Sequence, residues 1–241
     1  MSARRNRYLA EIGITAWRLR AAGAAAAPQP PSAAPGAAHD SQPAVPREAP
    51  PAASADSAWD RLAAAVRTCT KCALHRGRTQ TVFGVGRRDA QLLVIGEAPG
   101  ADEDRQGEPF VGRAGQLLNA MLHSIGLPRS EVYIANILKC RPPGNRDPQP
   151  DEAAACTPYL QQQIALLKPR AILAVGRIAA QWLLQSDVPI GRLRGRVFKY
   201  GEAGTPLVVT YHPAFLLRSP GEKAKAWTDL CMVRDLLSNE R

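Results

Sequence analysis

Residues 91–100 read QLLVIGEAPG, a short aliphatic run that ends in a glycine-rich turn. A run of this length bounded by a turn is typical of a strand buried on both faces of a sheet. Glycines beside a strand end let the backbone approach a ligand closely. The segment therefore predicts a buried strand at 91–95 and a functional loop that begins at Gly96.

On the carboxyl side of this segment, apolar runs alternate with amphipathic stretches. The further predicted strands are 132–137, 171–175 and 206–210, and the predicted helices are 114–125, 151–167, 178–184 and 222–237. This alternation predicts an α/β fold, a three-layer α/β/α sandwich with a mostly parallel central sheet. In such sheets ligands bind at the carboxyl ends of the strands. The loops at those ends begin at Gly96, Asn136, Gly176 and Tyr211.

Composition divides the 241 residues into three parts. Residues 1–22 carry a net charge of +4 and alternate basic with apolar residues. Residues 23–56 are mostly Ala, Pro and Ser, without an aromatic residue, so they predict a disordered linker. Residues 57–241 carry +8 and hold the apolar runs, which predicts a single folded domain.

The net charge of +10 favours a polyanionic partner such as nucleic acid. No run of 18 apolar residues is present, so no membrane-spanning helix is predicted. The first residues also lack the continuous apolar core of a signal peptide. A cytoplasmic, nucleoid-associated monomer is therefore expected, without contact with a membrane.

Four of the five cysteines form the pattern Cys69-x2-Cys72, Cys140 and Cys156. A CxxC pair with two distant thiolates is typical of a four-cysteine metal site. Spacing alone does not separate a zinc ion from a [4Fe–4S] cluster, and two unrelated buried cysteines are the alternative to both. Cys231, in the last predicted helix, is interpreted as core packing.

The loop after the first strand carries Glu97, then Glu103, and then Phe110 between two glycines. An exposed aromatic ring in such a loop suits stacking on a planar base. The alternative is that Phe110 fills the core beneath the loop.

Asn136 lies at the end of one predicted strand, and His212 belongs to the segment that directly follows another. The amide of Asn136 matches the O4 and N3–H edge of a uracil ring, whereas cytosine presents the opposite pattern. A neutral His212, fixed before Pro213, is able to donate one hydrogen bond to charge on a leaving group. A loop-capping asparagine and a structural histidine are the alternatives.

Together these motifs resemble the family 4 uracil-DNA glycosylases, the iron–sulfur type. The matching segments are GEAPG (96–100) with the acidic DED after it, GEPFVGRAGQLL (107–118), NILKCRPPGNRDPQPDE (136–152) with Cys156, and YHPAFLLR (211–218). The resemblance covers residues 57–241 and implies hydrolysis of the N-glycosidic bond of deoxyuridine in DNA, for base-excision repair. It also implies a structural [4Fe–4S] cluster on the four cysteines.

The resemblance implies a role for each site residue. Phe110 would stack on the flipped base, Asn136 would read its edge, and His212 would donate to uracil O2. Glu97 would position or activate the attacking water, or stabilise the cationic sugar, and Glu103 would crowd C5 and so exclude the thymine methyl. Gly96 belongs to the same substrate site. Four arginines are candidates for phosphate contacts: Arg141, Arg146, Arg194 and Arg218.

Residues 3–20 resemble the amino-terminal peptide of the psi subunit of the bacterial replicative polymerase. The apolar residues Leu9, Ile14, Trp17 and Leu19 suit insertion into a groove, with arginines at the rim. Docking on the clamp loader is one prediction. The alternative is a basic arm that adds non-specific DNA affinity.

Two other functions compete with a uracil-DNA glycosylase. One is a catalytically inactive recruitment module of the same fold, and the other is a zinc-stabilised hydrolase acting on another nucleotide. Glu97, Phe110, Asn136 and His212 argue against loss of catalysis. The colour of the protein separates the zinc alternative, because a [4Fe–4S] protein is brown.

Overall fold

The computed structural model describes residues 55–238, which form a six-stranded sheet between two layers of helices. The strands are β1 (Val85–Gly86), β2 (Leu92–Gly96), β3 (Tyr133–Asn136), β4 (Ala171–Val175), β5 (Val197–Tyr200) and β6 (Thr205–Thr210). The helices are α1 (Ala55–Arg67), α2 (Ala101–Gln106), α3 (Arg113–Ser124), α4 (Pro150–Leu167), α5 (Arg177–Leu184), α6 (Ile190–Leu193), α7 (Pro213–Arg218) and α8 (Lys223–Ser238). Every predicted strand and helix is present, with ends displaced by about a residue. The predictions for residues 1–54 lie outside the described residues.

The strand order is β1-β3-β2-β4-β6-β5. The four central strands are parallel, and they are fully buried apart from the start of β6. This confirms the predicted mostly parallel sandwich. The chain passes from β2 to β3 on one side and then crosses to β4 on the other side of β2, so the strand order reverses at β2. In an open α/β sheet that reversal marks the ligand crevice.

Two edge strands were not predicted. The strand β1 has two residues and pairs antiparallel with β3, while β5 pairs antiparallel with β6. Along β5 exposed residues alternate with half-buried ones, and Val197 and Lys199 face solvent. Such short, one-sided segments carry too weak a pattern to separate them from loops.

Two core layers lie on opposite faces of the sheet. One layer packs α1, α4 and α5 on the sheet, and the other packs α3, α7 and α8 on it. Helix α1 was not predicted, and it begins at Ala55, inside the last two residues of the predicted linker 23–56. Its Trp59, Leu62 and Val66 are buried at helical spacing. Within the described part of the chain, no helix is long and apolar enough to span a membrane.

Candidate active site

A cleft of about 460 Å³ opens at the carboxyl ends of β2, β3 and β6. The predicted site residues Glu97, Glu103, Phe110, Asn136 and His212 all line it. Gly96 and Asn136 are register partners on neighbouring strands β2 and β3. The sheet therefore brings together loops that are more than a hundred residues apart in sequence.

Asn136 ends β3 with a buried side chain, 2 % exposed. Its Oδ1 has no hydrogen-bond partner among the described residues. A buried polar atom without a partner costs about 1–3 kcal/mol, so such an atom beside a cleft is suited to a ligand donor. A Cβ atom on Gly96 would lie 2.5 Å from this oxygen, so glycine is required there for Asn136 to keep its place.

Phe110 is buried, 7 % exposed, and packs in the core layer of α3 while its ring also lines the cleft. The expectation of an exposed ring is therefore wrong. Its backbone has a φ of 54°, a left-handed conformation that costs a non-glycine residue about 1–2 kcal/mol. This conformation turns the ring inward: two of its carbons would lie 2.7 Å from a Cβ on Gly96.

His212 is the N-cap of α7, and the backbone N–H of Ala214 donates to its Nδ1 at 3.1 Å. Burial lowers the pKa of His212 to about 4, with a further decrease from the positive charge of Arg218. The imidazole is therefore neutral near pH 7 and carries its proton on Nε2. Its ring lies 5.6 Å from that of Phe110 between centroids. The site thus holds one fixed N–H donor beside an aromatic ring.

Gly176, directly after β4, leaves the space that the His212 side chain occupies. Its φ is 97°, and a Cβ there would lie 3.0 Å from the Cβ of His212. A side chain at this position would be strained and would push on the imidazole.

Glu97 follows β2 and is half-buried at the cleft wall. Burial raises the pKa of Glu97 to about 7, and repulsion from Asp147 adds to the increase while Arg177 opposes it. Asp147 and Arg177 form an exposed ion pair, 2.6 Å between Oδ2 and Nη2. A carboxyl group with a pKa near 7 is suited to general base catalysis at neutral pH.

Glu103 lies in α2, and both of its carboxylate oxygens accept backbone hydrogen bonds. Oε2 accepts from the N–H of Gly100 at 3.1 Å, and Oε1 accepts from those of Val111 and Gly112 at 2.9 and 3.2 Å. The carboxylate therefore connects the start of α2 to the loop that carries Phe110. This holding function was not predicted from the sequence.

The candidate arginines differ in their contacts. Arg194 donates to the fully buried Asp229, with Nη2 2.9 Å from Oδ1, so it is engaged inside the fold rather than free for phosphate. Arg146 pairs with Glu152, and Arg141 donates to Asn145. Arg218 is exposed and lines the cleft, beside the exposed Leu217.

The four predicted cysteines line one narrow cavity on the α1–α4 side, and none is in a disulfide. The other charged or titratable side chains around this cavity are Lys71, His75, Arg78, Lys139 and Tyr159, with no carboxylate among its lining residues. Arg78 Nη1 donates to Cys140 Sγ at 3.1 Å, and the Lys139 N–H donates to Cys156 Sγ at 3.3 Å.

This donor set fits a thiolate-bound iron–sulfur cluster, which is anionic and accepts N–H···S bonds. Burial raises the pKa of Cys156 to about 11, so ligation of a metal is what would keep it a thiolate. In the described residues no three His, Cys, Asp or Glu side chains stand close enough to hold a single metal ion.

Lys139 connects the cysteine cavity to the cleft. Its side chain is buried, and its Nζ donates to the carbonyl of Asn136 at 2.8 Å and to Gln163 Oε1 at 2.6 Å. Gln163 in turn donates to the carbonyl of Phe83 at 2.9 Å. A lysine inside the apolar run ILKC was the available sequence signal for this network, and it was not used.

Comparison with known proteins agrees with this geometry. The family model described as the uracil DNA glycosylase superfamily matches residues 83–231. A type-4 uracil-DNA glycosylase of Archaeoglobus fulgidus is 41% identical over 188 residues, which cover 76% of this chain and 94% of that protein.

Two further relatives carry the same name. The type-4 uracil-DNA glycosylase of Pyrobaculum aerophilum is 44% identical over 173 residues, covering 69% of this chain and 88% of its own. That of Thermotoga maritima is 43% identical over 155 residues, covering 64% and 80%.

The chain belongs to the type-4 uracil-DNA glycosylase family. The region matched by the superfamily model begins at Phe83 and includes the whole cleft, but it leaves out α1, Cys69 and Cys72. The longer alignment to the Archaeoglobus protein spans 188 residues, more than the 149 of the superfamily region.

Proposed function

We propose that this chain excises uracil from DNA in base-excision repair. It hydrolyses the N-glycosidic bond of a flipped deoxyuridine and leaves an abasic site. The observation that carries the proposal is the buried, unpartnered Oδ1 of Asn136 in a cleft shared with the Phe110 ring and the neutral His212.

Recognition of the base follows from hydrogen-bond polarity. Asn136 Oδ1 accepts from uracil N3–H, and its amide group donates to O4. Cytosine presents an acceptor at N3 and a donor at C4, so the same amide orientation leaves unpaired polar groups on both sides. The ring of Phe110 stacks on the flipped base and completes the contact.

Bond cleavage separates charge. The C1′–N1 bond breaks with its electron pair moving into the uracil ring, which leaves oxocarbenium character on the sugar. His212 donates from Nε2 to uracil O2, and one such preorganised donor contributes about 2.7–4 kcal/mol. Water then attacks C1′ while Glu97 accepts its proton. That proton passes through solvent to the uracil anion, so uracil departs as the neutral base and Glu97 is again a carboxylate.

Access to the base requires that deoxyuridine leave the helix. Flipping costs a few kcal/mol and is least costly for a mismatched pair such as U·G. Leu217 is an exposed apolar residue that directly precedes Arg218, and Arg218 lines the cleft. An exposed apolar side chain suits insertion into a base step, and an exposed arginine suits a phosphate contact.

The test is uracil excision from a labelled U·G duplex, followed by alkaline cleavage at the abasic site. Wild type is expected to give strand scission, and His212→Ala is expected to lower the single-turnover rate by about 10²–10³-fold. His123→Ala is the matched control, because His123 is exposed on α3 and should keep the wild-type rate. Absence of scission by cluster-loaded wild type would favour the recruitment module instead.

For the cysteine site we propose a [4Fe–4S] cluster on Cys69, Cys72, Cys140 and Cys156. The basic, carboxylate-free surroundings and the two N–H···S hydrogen bonds support it. These four residues would hold the cluster from the turn after α1, from α4 and from the segment after β3, so that its binding would link these parts of the chain. Brown protein with bound iron and inorganic sulfide would agree with this, whereas colourless protein with stoichiometric zinc would contradict it.

For residues 3–20 we propose docking on the clamp loader. A linker at 23–54 would join this peptide to a single folded domain. We further propose that the protein is a monomer located in the cytoplasm and associated with the nucleoid. Support comes from the apolar and basic residues of the peptide alone. Pull-down of clamp-loader subunits by the full chain is expected to be lost in Trp17→Ala. Capture that persists in this variant would leave only the non-specific DNA arm.

A further inference from the structure

Arg129 lies outside every motif that the sequence analysis used, in the turn Arg129–Glu131 that precedes β3. Its guanidinium nevertheless reaches the loop of the stacking ring. Nη2 donates to the carbonyl of Pro109 at 2.7 Å, and Nη1 donates to that of Phe110 at 3.3 Å. Nη1 also donates to Asn119 Oδ1 in α3 at 3.3 Å, so the guanidinium is itself held in place.

These contacts are made to a strained piece of backbone. Phe110 has the left-handed φ of 54°, which a side chain of this size adopts only where surrounding contacts enforce it. The two carbonyls that flank the left-handed residue both point at one cation. Two consecutive amides, those of Val111 and Gly112, point at the carboxylate of Glu103 on the other side.

The turn 109–112 is therefore held by two opposite charges: its carbonyl oxygens accept from the cationic Arg129, and its amide N–H groups donate to the anionic Glu103. Its position against α3 also depends on Gly115, where a Cβ would lie 1.8 Å from the Phe110 carbonyl oxygen. Without the guanidinium, the two carbonyls lose their charged partner and Phe110 gains access to the extended region. Its ring would then leave the space beside Gly96 and His212.

We infer that Arg129 is a positioning residue for uracil excision, which acts by holding Phe110 in the conformation that stacks on the base. The inference rests on the proposed function. Arg129 is not among the residues that line the cleft: its contacts are with the carbonyls of Pro109 and Phe110, with Asn119 Oδ1, and with Glu108, whose Oε2 lies 3.8 Å from Nη2. Its side chain is 23 % exposed. That exposure leaves room for a small molecule to replace the guanidinium.

A double-mutant cycle tests whether Arg129 acts through Phe110. Single-turnover excision rates on a U·G duplex are measured for wild type, Arg129→Ala, Phe110→Leu and the double variant. We expect Arg129→Ala to lower the rate about tenfold, and to have no further effect once Phe110 is replaced. Losses that multiply in the double variant would overturn the inference, because a general structural role acts regardless of the ring.

Chemical rescue gives a second readout, which stays informative even if Arg129→Ala partly destabilises the folded protein. Millimolar guanidinium chloride is expected to restore several-fold activity to Arg129→Ala and none to the double variant. The excision rate of Arg129→Lys should lie between those of wild type and Arg129→Ala, since one ammonium group cannot donate to the same planar set of acceptors as a guanidinium. Arg234→Ala, at an exposed pair with Asp235 on α8, is the control for loss of an arginine.

The outcomes separate the two proposals. If wild type excises uracil and Arg129→Ala matches it, the inference fails and the proposed function stands. If wild type shows no excision, the proposed function fails first.

Discussion

The cleft and the four-cysteine site share the segment after β3, where Asn136 and Cys140 are four residues apart, yet the two sites are held in different ways. In the cleft, His212 and the Phe110 loop are held by protein partners, the N–H of Ala214 and the guanidinium of Arg129, while Asn136 Oδ1 has no partner among the described residues. The cavity of the cysteine site is lined by basic side chains, with no carboxylate among its lining residues.

The difference shows which site is complete by itself. A cleft made of fixed hydrogen bonds is preorganised and spends little energy on reorganisation during the reaction. The buried Lys139 has no carboxylate beside it among the residues that line the cysteine cavity, so an anionic group bound there would be stabilised. The cleft therefore holds the candidate catalytic groups, whereas the cysteine site is expected to contribute stability once the proposed cluster is bound. Lys139 passes between the two, so they are not independent.

The largest expected effect comes from breaking the cysteine site. Cys156→Ser should abolish the visible absorbance of the cluster and lower the thermal midpoint by roughly 10 °C or more, because ligand loss removes a cross-link between α4 and the segment after β3. Absorbance spectra and thermal unfolding of the purified protein measure both.

Cys231→Ser is the matched control, since Cys231 lies in α8, outside the cysteine cavity. It should keep the absorbance and the midpoint. Equal loss of absorbance in both variants would mean that the ligand set is not the one proposed.

A smaller effect is expected in the cleft, on activity alone. Gly96→Ala introduces a Cβ 2.5 Å from Asn136 Oδ1 and 2.7 Å from the Phe110 ring, so both must shift. Displacements of this size cost about 100-fold in rate. Excision kinetics should show that loss while the cluster absorbance remains. Gly191→Ala, where a Cβ meets nothing within 4 Å, should behave as wild type.

The smallest effect is a shift of the pH profile. If Glu97 is the base, the excision rate rises with pH around its pKa of about 7, because only the carboxylate accepts a proton from water. His212, with a pKa of about 4, stays neutral across that range and adds no second limb.

The ion pair Asp147–Arg177 beside Glu97 allows the rising limb of the pH–rate profile to be shifted in either direction. Asp147→Asn removes the repulsion and should move the limb to lower pH by about 0.5–1 unit, whereas Arg177→Gln should move it upward. Rate profiles from pH 5 to 9 measure the shifts. Identical profiles for the three proteins would exclude Glu97 as the titrating group.

Much of the fold was predictable because the central strands are short apolar runs between amphipathic helices. The carboxyl-end rule predicted functional loops that begin at Gly96, Asn136, Gly176 and Tyr211, and residues from the first, second and fourth of these loops line one cleft. The edge strands and α1 were missed, since a two-residue strand has no period and α1 directly follows the Ala/Pro-rich segment.

What the sequence could not provide is the partner of each group. The left-handed φ of Phe110 depends on contacts with Arg129 and Gly115, which lie on other elements and which no local pattern encodes. For the same reason, the pKa values of Glu97 and His212 follow from burial and neighbours known only from the fold. The residue types of the candidate site could therefore be predicted from the sequence, whereas their conformations and protonation states could not.

The two edge strands bear on solubility. A repair enzyme that gathers on DNA reaches a high local concentration, at which an open sheet edge would invite strand addition from a neighbouring copy. Here β1 offers a template of only two residues, and at Gly86 its backbone lies so near β3 that a Cβ would sit 1.9 Å from the carbonyl of Val132. At the other edge β5 presents the charged side chain of Lys199 to solvent. Both borders thus oppose edge-to-edge aggregation.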